Sequence, residues 1–160
     1  MASLGVHFML TPEQDRLLTR AADDDTARMA VVKTLGGPET LETDKAWDAI
    51  HRCLTDGTLT IDGGDDPLAH AVLGGQQLYE SDDSFVSHIT ADQVAATAAA
   101  LQPLNKDWLL TRYRRLSATD YDGPYDDDDF VYTWDNLVEL RDFFDRAARQ
   151  RRSVIFTVDM

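Results

Sequence analysis

Apolar positions along the chain alternate between strand-like and helix-like spacing, and the changeovers mark the elements. Residues 4–10, LGVHFML, form a short apolar run that ends at a helix-start signal, which predicts a buried strand. Thr11-Pro12-Glu13-Gln14 supplies a capping Thr, a Pro at the first helical position and a Gln three residues after the cap. Leu17, Leu18 and Ala21 lay an apolar stripe on that helix. Three acids at Asp23-Asp24-Asp25 oppose the helix dipole at a C-terminus and should end it. A second short helix is expected over about 26–34, closed by Gly36-Gly37-Pro38.

Thr43-Asp44 reads as the cap of a helix, DKAWDAIHRCL, in which Trp47, Ile50 and Leu54 recur at helical spacing. Asp56-Gly57 ends it, and residues 58–67 read as a loop. LAHAVLGG (68–75) is short enough for a buried strand and Ala-rich enough for a helical turn, and both remain open. SFVSHI (84–89) alternates as a strand does. A second capping box, Thr90-Ala91-Asp92-Gln93, opens a helix over 91–101 with Val94, Ala98 and Leu101 inward, and Pro103 breaks it. Asn105-Lys106-Asp107 restarts a helix through Trp108, Leu109, Tyr113 and Leu116. An acidic loop follows, and Thr133 is expected to cap the longest helix, about 134–151. Five arginines crowd its end (141, 146, 149, 151 and 152), where cations complement the dipole. SVIFTV (153–158) is predicted to be a central strand. This order lacks regular βαβ alternation and predicts an α+β fold: a small mixed or antiparallel sheet with helices packed against it, in one domain over 1–160.

Charge alters this picture most. The chain carries 29 acids and 15 bases for a net charge of −14, and Asp supplies 24 of the acids. Asp competes for backbone hydrogen bonds within helices, so many of these residues are expected in caps and turns. Residues 1–80 hold 14 acids and 6 bases, and residues 81–160 hold 15 and 9, so the negative field is global. A field of this sign repels nucleic acid and anionic lipid and attracts basic partners, although it also serves solubility alone. No run approaches the length of a membrane span, and MASLGVHFMLTPEQ has neither a basic start nor a cleavable apolar stretch. Cys53 alone excludes an internal disulfide framework and a Cys-cluster zinc site.

Candidate chemistry is sparse. Asp44, Trp47 and His51 share a helix face, and Asp48 lies three residues before His51, within its reach. A carboxylate beside a histidine is what an acid–base dyad needs, with Asp44 or Asp66 as further candidates. Trp47 is equally the natural core anchor of that helix. His7, His70 and His88 sit in apolar or alternating runs and read as satisfied core or edge histidines; no metal-ligand spacing exists. The run Asp120-Tyr121-Asp122-Gly123-Pro124-Tyr125-Asp126-Asp127-Asp128-Asp129 fails the calcium-loop test, with Gly fourth and Val131 at position twelve. The glycine pairs at 63–64 and 74–75 match no phosphate loop, and Ser3, Ser81, Ser84 and Ser87 lack an activating context. No cofactor motif is present.

Two segments carry a family resemblance. LETDKAWDAIHRCLTDGTL (41–59) followed by DDPLAHAVLGGQQL (65–78) resembles the YfbM-like family, bacterial proteins classed as domain of unknown function 1877. The matching residues are Asp44, Lys45, Trp47, Asp48, His51, Leu54 and Thr55, then Asp66, Pro67, Leu68, Ala71, Val72, Leu73 and Gly74. Asp56, inserted before Gly57, lengthens the turn after the helix by a residue, and the 118–130 loop is more acidic than the family pattern. The resemblance implies an α+β domain in the bacterial cytoplasm and implies no reaction.

The expected function is therefore binding. An immunity- or inhibitor-type protein would neutralise or regulate a basic protein partner. The Asp-rich stretches at 62–66 and 120–129 would dock it, including Asp126, Asp127, Asp128 and Asp129. Trp47, Tyr121, Tyr125 and Tyr132 would supply aromatic surface. The alternative is a small-ligand enzyme using Asp48 and His51.

Overall fold

VIFTV can lie in the middle of a sheet because its side chains are apolar on both faces, and it does. In the computed structural model, which describes residues 4–37, 39–61, 63–81 and 84–159, five strands pair antiparallel in the order β2-β1-β5-β4-β3. These are β1 (Leu4–Met9), β2 (Thr40–Asp44), β3 (Gln76–Glu80), β4 (Ser84–Ile89) and β5 (Val154–Asp159). The predicted α+β class holds, and the sheet is antiparallel rather than mixed. Successive strand side chains point to opposite faces. Val154, Phe156 and Val158 of β5 therefore enter the larger core and Ile155 enters the smaller one, with Leu18, Val31 and Val86.

Among the described residues, six α-helices cover the sheet: α1 (Pro12–Ala21), α2 (Asp25–Val32), α3 (Ala46–Leu54), α4 (Ala91–Leu101), α5 (Lys106–Arg114) and α6 (Asp127–Arg149). Both predicted capping boxes form, at Thr11/Gln14 and Thr90/Gln93. The smaller core holds Leu18 of α1 and Val31 of α2, while α3, α4, α5 and α6 contribute to the larger one through Ile50, Val94, Leu109 and Phe143.

Several expectations are corrected. Residues 40–44 form an edge strand, so Thr43 and Asp44 do not cap α3; its N-cap position is Lys45, which makes no side-chain capping bond. Between Gly5 and Val6 the partner on β2 jumps from Asp44 to Glu42, a bulge that leaves Thr43 unpaired in the ladder and buried. Asp44 then takes φ 50°, and the chain turns at once into α3. Residues 68–75 resolve as a short 3-10 turn at Leu68–His70, not a strand, and the polar segment Gln76–Glu80 pairs as an unexpected edge strand. The longest helix starts at Asp127, not near residue 134. Asp126 caps it by accepting from the Asp129 backbone N–H at 2.7 Å, and Asp127, Asp128 and Asp129 fill the first turn, where acids complement the dipole. The end of the expected acidic loop, Asp127 to Asp129, is thus helix. Ser3, Pro38 and Asp62 lie outside the described residues.

Among the described residues, no helix is long and apolar enough to cross a membrane.

Candidate functional site

The bulge that turns β2 into α3 brings Asp44, Lys45, Trp47 and Asp48 opposite the segment that leads into α6. Between them lies a cleft of about 680 Å³, walled on the far side by Tyr121, Asp122, Gly123, Pro124, Asp126, Asp128, Asp129 and Tyr132. Hydrogen bonds tie the two walls. Tyr132 Oη donates to Asp44 Oδ2 at 2.6 Å and accepts from the Lys45 backbone N–H at 3.1 Å. Burial, followed by the Asp44 carboxylate, pushes the Tyr132 phenol up to about 12, so it stays a donor at neutral pH.

Arg52 is the buried fastener of the site. Its side chain is 4% exposed, with Nε 2.6 Å from Asp48 Oδ1 and Nη1 2.6 Å from Asp120 Oδ1. It also donates to the Gly57 carbonyl and lies over the Tyr121 ring. Burial opposes the charge of this guanidinium, but the bonds from Asp120 and Asp48 outweigh it and hold its pKa above the usual value. Burial also raises the Asp48 carboxyl, against the opposing pull of Arg52. Arg52 holds the Asp120 carboxyl below the ordinary range. Asp129 Oδ2 accepts from both Tyr113 Oη (2.5 Å) and Tyr121 Oη (2.7 Å), and burial plus that carboxylate shift both phenols upward. Tyr125 adopts φ 53°, donates to the Arg114 carbonyl and stacks on Tyr113 at 5.1 Å between centroids.

Seven of the candidate residues thus meet in one cleft: Asp44, Trp47, Asp48, Tyr121, Asp126, Asp128 and Asp129. Tyr132 joins them, Tyr125 flanks them, and Asp127 sits exposed on the first turn of α6 without lining the cleft. The expected Asp48–His51 pair does not form. Asp48 is taken by Arg52, while His51 turns into the core, fully buried, with Nε2 2.6 Å from the Thr60 carbonyl oxygen and its pKa lowered by burial. Asp66 stands elsewhere, 3.1 Å from His70 Nε2. His7 is buried with Nε2 2.7 Å from the Ala71 carbonyl, so it donates there and is a structural residue. Among the described residues no group of three or more His, Cys, Asp or Glu side chains is placed to hold a metal.

Arg52 is the residue of the site that the sequence does not mark. The Asp48/Arg52 spacing of four was readable as a helix ion pair; the Arg52 bond to Asp120, 68 residues away, was not.

Chemically the cleft offers carboxylates with little to oppose them. Asp44, Asp48, Asp126 and Asp129 are engaged by neighbours, whereas Asp122 and Asp128 make no hydrogen bond or ion pair among the described residues. Among the described residues that line it, Lys45 is the lone base. Carboxylates beside aromatic faces suit a guanidinium or ammonium group, through charge-assisted hydrogen bonds and ring contacts.

Comparison with known proteins agrees with the fold and names no activity. The family model described as Domain of unknown function (DUF1877) matches residues 1–157. Protein YfbM of Escherichia coli (strain K12) is 37% identical over 81 residues, which are 50% of this chain. That alignment spans about half the length of the curated relative, 48%. A crystal structure of a protein of unknown function, YfbM from Escherichia coli, superposes with a TM-score of 0.69 at 25% identity, covering 98% of this chain and 99% of that one. With nearly its whole length matched by the family model and the sheet and helices of that relative reproduced, the chain belongs to the DUF1877 family of YfbM-like proteins.

Proposed function

We propose that this chain is a protein-binding domain of the immunity or inhibitor type, acting in the bacterial cytoplasm by taking a basic segment of a partner protein into the Asp44–Asp129 cleft. The observation that carries the reading is the pairing of a sizeable cleft with two unengaged carboxylates, Asp122 and Asp128, beside Tyr121 and Tyr132. A guanidinium can donate to such carboxylate oxygens in a bidentate fork. The net charge of −14 would draw a basic partner in and speed encounter, an effect that salt weakens. Engaging the remaining carboxylates internally keeps the walls rigid, which lowers the ordering cost of binding.

The test is a titration of the isotope-labelled protein with a hexa-arginine peptide, followed by amide resonances. The reading expects shifts centred on Lys45, Asp122, Asp128 and Tyr132. Shifts spread evenly over remote acids such as Asp92 and Asp142, or no shifts, would sink it.

A further inference from the structure

A second cleft lies on the other side of Trp47. It measures about 630 Å³; its apolar walls are Trp47, Leu59, Ile61, Leu73, Phe85 and Val158, and its polar lining includes Gln77 and Glu80. Its volume falls in the range of ligand sites, about 300–1,000 Å³, and its lining is mainly apolar with few polar groups. Ile61 remains 38% exposed at this cleft.

The strand register places the two clefts side by side. Asp44, Gly5, Val158, Phe85 and Glu80 face one another in turn across β2, β1, β5, β4 and β3. Asp44 belongs to the acidic cleft, while Val158, Phe85 and Glu80 belong to the apolar one. Gly5 stands between them with no side chain, and the Trp47 indole fills that space. Trp47 is therefore a ridge shared by both clefts at one end of the sheet. Strands are spaced about 4.8 Å apart, so three steps from Asp44 to Phe85 cover about 14 Å, which about four residues of extended peptide span.

Resting on the reading of the acidic cleft as the seat of a cation, we propose that the recognised segment pairs a basic residue with a large apolar one two to four residues away. The cation enters between Asp122 and Asp128, and the apolar side chain crosses Trp47 into the Phe85–Val158 cleft. Glu80 at the far side of that cleft selects against an acidic neighbour on the segment. The occupant is a protein segment rather than a free apolar molecule, because the apolar cleft adjoins a charged one across a single side chain.

The experiment uses two blocked peptides of equal charge, Gly-Arg-Arg-Gly-Phe-Gly and the same sequence with Gly in place of Phe, titrated calorimetrically at low salt. Burying the Phe ring predicts binding about tenfold tighter for the Phe peptide. In the Ile61→Ser variant that advantage should fall below about threefold, while the Gly peptide binds as before. Asp122→Asn combined with Asp128→Asn should weaken both peptides by the same factor. If both peptides bind the wild type equally, or if the Phe advantage survives Ile61→Ser intact, the apolar half of the proposal is wrong and the acidic half stands. If neither peptide binds, both halves fail.

Discussion

Gly5 and Trp47 leave no room for a side chain between them: a Cβ at position 5 would stand 2.8 Å from Trp47 Cδ1 and 2.9 Å from Phe156 Cε1. The indole, only 4% exposed, lies directly on the strand, and its position sets the wall of both clefts. The relationship joins sequence to site, since a glycine in β1 determines how close α3 comes to the sheet.

Gly5→Ala should therefore destabilise the fold by about 1–3 kcal/mol, the usual cost of overpacking. Urea unfolding measures it. A variant as stable as wild type would show that the contact relaxes without cost.

Arg52 should matter more than its exposed partner. Arg52→Met leaves the half-buried Asp48 carboxylate without its counter-charge and releases Asp120, at a cost of about 2 kcal/mol, less than for a fully buried pair because Asp120 is exposed. Asp120→Asn, at an exposed position, should lower the urea midpoint by less. Equal losses for the two variants, read from urea midpoints, would contradict the role assigned to Arg52.

His7 provides the pH dependence. Burial first, opposed by the bond to Ala71, lowers its pKa from 6.5 to about 4 in the folded protein. The unfolded chain then binds the proton more readily, so this stabilisation is complete above about pH 6.5 and declines as pH falls towards 4. Relative to His7→Gln, which keeps a donor for the Ala71 carbonyl, wild type should lose about 2–3 kcal/mol between pH 7.5 and 4.5. Burial also lowers His51 and His88, so they add loss of the same sign in both proteins. Parallel pH profiles would refute the assignment.

Legibility in the sequence followed the strength of local signals. Capping boxes at Thr11 and Thr90 and the β-branched run of β5 predicted their elements correctly, because the determinants are contiguous. TLETD and QQLYE carry little β pattern; they become edge strands because β1 and β4 offer them a ladder. Thr133 looked like a helix cap but is buried mid-helix, with Oγ1 donating to the Asp129 carbonyl. The residues of the site were visible as types, in Trp47, Asp48 and the 120–129 run. Their assembly was not, since Tyr132 and Asp44 meet 88 residues apart. The Asp48–His51 pairing failed because Arg52 reaches Asp48 while His51 faces the Thr60 carbonyl.

Asp126 tests the corrected start of α6. Asp126→Ala removes the bond to the Asp129 amide and should cost about 1 kcal/mol, the usual value of a helix cap. Hydrogen exchange should quicken in the first turn, Asp127 to Phe130. Unchanged stability and protection would move the helix start elsewhere.

The most direct measurement of the central claim compares two double variants that remove the same charge. Asp122→Asn with Asp128→Asn alters the cleft, and Asp135→Asn with Asp142→Asn alters exposed positions on α6 outside it. Binding of hexa-arginine, measured at low salt, should weaken about fivefold or more in the first and stay within about twofold in the second. Equal weakening in both variants would mean that the peptide responds to net charge alone, and the cleft would not be the binding site.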